Sequence, residues 1–332
     1  MRISDALYGE YMLEDVLSAL IESKEIQRLK DVHMAGAAYL VDSCWNETRY
    51  EHSVGVMLLI RRLGGSLEEQ IAGLLHDVSH TAFSHLIDFV MKNTKEDFHE
   101  EIKEQQLKES TIPAILAEYG YDYTTLLLND DQWSILEQSA PDICADRIDY
   151  TLREIHRYFD VPLTEIHGFI KAMEIIDGKI VLTELFWGEW FVDQYKKIVI
   201  DFFYAPLNVY SCEIVGKMLA HSLKTGVVTE SDLHETDTFL WQKMTISKDR
   251  QLHAWAKQLR AKISFAFVDE DSMYDLHQQK KVRYVDPLIE YQGDVISVSK
   301  LSQSAAEQIT QMIEQGEKGI YLSYRIEEIV DN

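Results

Sequence analysis

Three short polar motifs interrupt stretches that otherwise carry the spacing of buried helix: RYEHSVGV (49–56), AGLLHDVSH (72–80) and ICADRIDY (143–150). They bring His52, the His76–Asp77 doublet and Asp146. Two imidazoles and two carboxylates can hold one divalent cation and leave positions for water, which hydrolytic chemistry requires. The doublet is the sharpest signal. Ala72, Gly73, Leu74 and Leu75 run straight into it, and an adjacent His and Asp emerging from apolar sequence are costly to bury without a partner. One histidine alone reads equally well as a satisfied core residue; the set of four reads as a metal site. Ligand type does not choose among manganese, iron, zinc, nickel and magnesium. Asp77 and Asp146 offset the charge of such a cation. Arg49 stands three residues before His52, on the same helix face or at its entrance, and its guanidinium suits a phosphate. His80 lies four after His76, on the same row if that helix continues.

The elements that must position these groups are mostly helical. Met12, Val16, Leu20 and Ile21 form one stripe of a helix over 10–31. Residues 34–39 leave it at Gly36, and 42–48 read as a loop. Helix returns over 52–63. Ser66 with Glu69 forms a capping box for a helix over 67–78 that carries the doublet near its end. Further helices are predicted over 84–91, 97–108, 112–118, 133–137 and 142–158, the last entered through Pro141. Asp177-Gly178 between two β-branched runs predicts a hairpin, followed by helices over 188–203 and 207–223. After 225 the texture changes: 265–268, 282–285, 295–298 and 321–324 read as strands and 305–317 as a helix. The expectation is a mainly α core over 1–224 and a small mixed α/β appendage over 225–332.

Composition narrows the class. The 332 residues carry 32 basic and 56 acidic side chains, a formal charge of −24 that repels extended nucleic acid but not a small anion in a metal-bearing pocket. No apolar run reaches membrane-spanning length, and the N-terminus lacks the apolar stretch of a signal peptide. Cys44, Cys144 and Cys212 are too widely spaced for a zinc knuckle or a disulfide scaffold, so the cytoplasm is the expected location.

With these motifs in place, the chain resembles the HD-domain metal-dependent phosphohydrolases. Within them it is most similar to the branch of dNTP triphosphohydrolases that includes the sterile-alpha-motif-and-HD-domain enzyme. EIQRLKDVHMAG (25–36), RYEHSVGV, HDVSHTAFSH (76–85) and ADRIDYTLREIHRYF (145–159) carry the likeness, which covers roughly residues 1–220. The resemblance implies an HD-type helical core and a divalent metal. It also implies a small phosphorylated substrate, a nucleotide with dNTPs among the candidates, and a homodimer or larger assembly.

It places His80 and His99 of DFHEEI (97–102) in the catalytic machinery. We assign His99 as the general acid, with Asp88 or Glu100 tuning its pKa and the acids around it raising that pKa. His85 holds the turn to Asp88 or, with His80, reaches a second metal. By resemblance Arg147 contacts phosphate, Tyr150 base or sugar, and Glu154 a sugar hydroxyl. The chain departs from the branch where sugar and outer phosphates are read. Met34-Ala35-Gly36 stands for the branch's Gln-Leu before a glycine. Upstream of Tyr210, Phe202 and Pro206 occupy positions where an Arg and a His grip phosphates, leaving Lys196 or Lys197 as substitutes. Two other readings compete: a phosphatase or phosphodiesterase on another metabolite, and a non-catalytic metal- and nucleotide-binding sensor. The presence of both His80 and His99 weighs against the sensor.

Overall fold

The computed structural model describes residues 1–93, 95–129 and 132–328. The chain opens on a hairpin, β1 (Arg2–Asp5) and β2 (Gly9–Met12), where periodicity predicts a helix from residue 10. The Asp5 carboxylate accepts from the backbone N–H groups of Leu7 and Tyr8 and so closes that turn. The predicted stripe then forms two short helices, α1 (Asp15–Glu22) and α2 (Lys24–Arg28), split at Ser23, whose side chain caps the second. The helix of the first motif, α3 (Arg49–Arg62), begins three residues earlier than expected, because Thr48 and Glu51 form a reciprocal capping box.

The second helix, α4 (Leu67–Leu75), stops one residue before the doublet. Ser66 accepts from the Glu69 N–H as expected, but the Glu69 side chain does not return to Ser66. It accepts instead from the N–H groups of Ile135 (2.7 Å) and Leu136 (3.2 Å). Those two residues pair in turn with Ala145 and Asp146 at the start of the third motif's helix. One carboxylate thus ties the second motif to the third.

Next come α5 (Leu86–Met91), α6 (Phe98–Glu109), α7 (Ile112–Glu118) and α8 (Tyr123–Leu127); residues 134–136 form a turn rather than a helix. The long amphipathic α9 (Ala145–Phe159) starts after Cys144, three residues later than Pro141 suggests. After α10 (Leu163–Lys171), the hairpin of β3 (Met173–Ile176) and β4 (Lys179–Leu182) turns at Asp177 and Gly178, both at positive φ as such a turn demands. Then follow α11 (Leu185–Lys196), which runs into a π-helical segment over Lys197–Phe202, and α12 (Pro206–Thr225).

Beyond 225 lie α13 (Asp237–Thr245), α14 (Arg250–Gln258), β5 (Lys262–Phe267), β6 (Leu276–Gln278), β7 (Leu288–Tyr291), β8 (Asp294–Ser297), α15 (Val298–Leu301), α16 (Gln303–Lys318) and β9 (Ile320–Glu328). Residues 282–285, read as a strand, have no ladder partner. One sheet has the order β5-β9-β6. The other, β3-β4-β7-β8, draws strands from both sides of position 225, with β4 and β7 parallel. Asp237 at the start of α13 accepts from the backbone of His33 and of Phe83, and bonds the His33 ring at 2.8 Å. The fold is mainly α with a mixed α/β C-terminal region, and that region is knitted into the core.

The core itself is one apolar cluster around α1, α3, α4, α9 and α11, and a second around α12 and the C-terminal strands. Gly55 shows why the centre of α3 tolerates a poor helix former. A Cβ there would fall 2.1 Å from both the Arg153 guanidinium and the Asp149 carboxylate of α9. No single helix among the described residues is long and apolar enough to cross a membrane; only the bent pair Leu185–Phe202 and Pro206–Thr225 meets that test of length and composition.

Candidate metal centre and its histidine annex

The three motifs converge at the N-terminal end of α9. His52 projects from the first turn of α3, fully buried. Its Nδ1 donates to Asp149 Oδ2 at 2.9 Å, and its Nε2 faces Asp146 Oδ1 at 3.0 Å and Asp77 Oδ2 at 3.7 Å. His76, just past the end of α4, donates Nδ1–H to the Gly73 carbonyl at 2.8 Å. That bond leaves the lone pair on Nε2, which lies 3.5 Å from Asp77 Oδ1 and 3.6 Å from Asp146 Oδ1.

His76 Nε2 is buried and has no hydrogen-bond partner. A bare imidazole lone pair aimed between two carboxylates is repulsive unless a positive charge stands among them. The donor set therefore fits a divalent cation, held by His52, His76, Asp77 and Asp146. Burial disfavours the charged form of His52, but the hydrogen bonds with Asp146 and Asp149 outweigh it and push its pKa up to about 10. Burial likewise opposes ionisation of Asp146, yet the two imidazoles hold its carboxyl far below the usual range. The site is built to concentrate positive charge. Asp146 and His76 retain 24% and 14% side-chain exposure against 0% for His52, so they mark the side from which a ligand arrives.

The partner of His52 is the residue that sequence reasoning missed. Asp149 is fully buried and also accepts from Tyr8 Oη (2.8 Å) and Arg153 Nε (2.9 Å); Arg153 in turn reaches Asp5 (2.8 Å). The opening hairpin thus braces the imidazole through Asp149, directly from Tyr8 and by way of Arg153 from Asp5. Its position three residues after Asp146 was a usable signal. Asp149→Asn is expected to weaken metal affinity about 10–100-fold by releasing the tautomer of His52, with Tyr8→Phe causing a smaller loss. Titrating the metal-free protein with manganese checks both, and unchanged affinity in Asp149→Asn would remove this bracing role.

Beside the centre lies a histidine annex. The chain turns after His76 instead of continuing α4, so His80 reaches Asp77 Oδ1 (3.2 Å) by a turn and not by a helical row. The His80 and His99 rings stack at 3.8 Å, with the His85 ring 4.9 and 5.4 Å away. These three can also offer three nitrogens to a second cation. Asp88 bonds His85 Nδ1 (3.0 Å) and caps α6 through the Phe98 N–H (3.1 Å), so it orders His85 and not His99.

The expected raised pKa of His99 is corrected: burial, then the nearby His85, lower it to about 3. Glu100 comes no closer than 3.9 Å and is 69% exposed, so water screens it. Arg49 is buried, donating Nε–H to Ser84 Oγ (2.8 Å) and pairing with Asp77.

The α9 face divides. Arg147 is engaged beside the centre, its guanidinium taken up by the Gln138 and Asp142 carbonyls and by Glu137 (3.0 Å), which itself has an oxygen within 4.8 Å of Asp146. The loop over 137–142 wraps the start of α9 and captures it. Tyr150 stays, its ring 6.3 Å from that of His52 and its hydroxyl on Tyr195 (2.9 Å). Glu154 is buried, and burial pushes its pKa up to about 8.

Lys196 and Lys197 are engaged by Gln311 and by Asp193 and Gln194, and Tyr210 packs on Phe265 and Tyr324 in the second core cluster. A cation does come, from a segment with no motif to announce it. Arg283 pairs with Glu96 and lies over Phe203, close enough for its charge to act on Tyr150 and Tyr195.

Residues 49–154 match the HD domain family. Over 97% of this chain and 98% of its own length, the uncharacterized protein YdhJ of Bacillus subtilis is 42% identical. A metal-dependent phosphohydrolase, cns2 of Cordyceps militaris, is 28% identical over 88% of this chain and 86% of its own. The deoxynucleoside triphosphate triphosphohydrolase SAMHD1 of Bos taurus is 34% identical, but over 26% of this chain and 17% of its own. Among solved structures, a phosphohydrolase from Bacteroides thetaiotaomicron superposes with a TM-score of 0.69 over 98% of this chain and 99% of that one, at 16% identity.

Proposed function

The chain belongs to the HD-domain family of metal-dependent phosphohydrolases, and we propose that the phosphate ester it hydrolyses is carried by a nucleotide. One observation carries this reading. Asp146, Tyr150 and Glu154 follow at one-turn steps along α9: a metal ligand, then an aromatic ring, then a buried carboxyl with an oxygen that accepts no hydrogen bond. That order suits a phosphate, a flat ring or sugar, and a hydroxyl. The triphosphohydrolase name of the partial relative agrees with a nucleotide. Release of tripolyphosphate has less support, because Lys196 and Lys197 are committed elsewhere.

When bound, a divalent cation supplies Lewis acidity and an acidified water. The protein's own groups do the rest. His52, His76, Asp77 and Asp146 fix the charge that the phosphate meets. Arg49 orients Asp77 while joined to Ser84. The stacked His80 and His99 stand next to Asp77 as nitrogen donors toward phosphate oxygens. A neutral His99 becomes a competent acid only as an anionic phosphate approaches and favours its protonated form.

The test is product analysis by chromatography on a panel of metal-replete reactions with nucleoside mono-, di- and triphosphates. Inorganic phosphate or tripolyphosphate from a nucleotide supports the reading and assigns the bond cleaved. Turnover of a nitrophenyl phosphate with none of any nucleotide would reject the nucleotide and leave a phosphatase of another metabolite.

A further inference from the structure

The backbone is strained beside the metal centre. Phe83 and Ser84 follow one another at φ of 59° and 51°, in the left-handed region that residues with a side chain rarely enter. Phe83 is wholly buried there, and Ser84 nearly so. Such a pair persists only where its surroundings over-determine it, and strain of this kind clusters at functional sites. The pair lies between His80 and His85, in the segment that follows the His76–Asp77 doublet.

What holds the pair comes from the C-terminal region. Asp237 is 0% exposed, and its carboxylate meets three donors. Oδ1 accepts from the Phe83 N–H; Oδ2 accepts from the His33 N–H (2.9 Å) and from His33 Nδ1–H (2.8 Å). Both residues place Ser84. Phe83 precedes it in the chain, and the His33 carbonyl accepts from Ser84 Oγ (2.6 Å). The same hydroxyl accepts from Arg49 Nε (2.8 Å), and Arg49 pairs with Asp77. A continuous set of bonds thus runs from α13 to a ligand of the metal centre.

Local structure does not account for Asp237. It opens α13, but Thr236 caps that helix by accepting from the Phe239 N–H (3.3 Å). Among the described residues, the Asp237 carboxylate bonds only to His33 and Phe83. Burying a carboxylate is costly, so three donors directed at one point call for a reason. We propose that Asp237 is a positioning residue for the metal centre: through His33 and Phe83 it sets Ser84, which aims Arg49 at Asp77 and so fixes the carboxylate that the cation meets. The C-terminal region thereby completes the centre without contributing a ligand. This rests on the metal centre and not on the nucleotide reading, and it holds whichever phosphate ester is cleaved.

Titrating the metal-free protein with manganese tests the proposal, with the melting transition followed on each variant. Asp237→Asn keeps the size of the side chain but sets an amide donor against the donors of His33 or Phe83. It is expected to weaken manganese affinity by about tenfold or more, the range for losing an outer partner of a metal site. Ser84→Gly removes the hydroxyl and leaves a residue suited to the left-handed backbone, with a loss of similar size expected. In the double variant the two losses should not add, because both break one relay. Thr236→Ala is the control: it removes only the cap of α13, so it should lower the melting transition and keep the wild-type affinity. Wild-type affinity in Asp237→Asn overturns the proposal and leaves Asp237 a structural tie. So does an equal loss in Thr236→Ala, which would mean that any loosening of α13 disturbs the centre. Additive losses in the double variant overturn the route through Ser84. Wild-type affinity in Ser84→Gly overturns it too, and that result stands even where Asp237→Asn does not fold.

Discussion

Asp77→Ala is expected to abolish metal retention and hydrolysis together. The two Asp77 oxygens serve different partners. Oδ1 stands 3.5 Å from His76 Nε2 and 3.2 Å from His80 Nε2, while Oδ2 pairs with Arg49. Burial opposes its ionisation, but Arg49, His76 and His80 hold its carboxyl well below the ordinary range, so it is a carboxylate at any working pH. Alanine removes a negative ligand and releases a buried guanidinium next to the cation.

Both changes act against a divalent charge. Affinity should fall by more than about 100-fold, the upper end of what losing an outer partner costs. Elemental analysis of the purified variant decides it, and full metal stoichiometry would reject Asp77 as a ligand. An unpaired buried Arg49 also costs on the order of 3–5 kcal/mol of stability. Asp77→Asn therefore belongs beside it: the amide oxygen keeps a bond for Arg49, so loss of metal without loss of the melting transition isolates the ligand role.

The residues of the candidate metal centre were legible because their signals are local. His52, His76, Asp77 and Asp146 stand out as polar residues at apolar spacing, and the hairpin at Asp177-Gly178 follows from backbone sterics alone. What escaped depends on contacts between distant segments. Glu69 completes a capping box by sequence, yet three-dimensional proximity gives its carboxylate to Ile135 and Leu136. The opening hairpin is too short to show a period, and its links to Asp149, from Tyr8 and through Arg153 from Asp5, reveal why it is there. Arg283 could not be found at all, since it is 137 residues from Asp146 and its neighbours Glu96 and Phe203 lie on other elements.

The acidity of His99 was misread for the same reason. Its sequence neighbours are acids, but Glu100 and Glu101 are exposed and Asp97 accepts from Asn93, while its neighbours in space are His80 and His85.

That correction sharpens the prediction for His99 itself. The ring is stacked on His80 and its Nδ1 is buried with no hydrogen-bond partner, so it is held ready for a group that the resting protein lacks. It is not among the four residues around the metal centre. His99→Ala should therefore keep full metal content and lose about 10²–10⁴-fold in rate, the usual range for a positioned acid. The loss should shrink with a nitrophenyl ester, whose leaving oxygen departs without needing a proton, and be largest for an ester of an ordinary alcohol. His80→Ala makes the contrast: it removes the contact with Asp77 as well as the stack, so it should disturb both classes of ester alike. If His99→Ala slows good and poor leaving groups equally, His99 binds the phosphate without protonating the departing oxygen. If it loses metal, the three-histidine annex is itself a cation site, since a nitrogen from each ring already lies within 4.8 Å of the others.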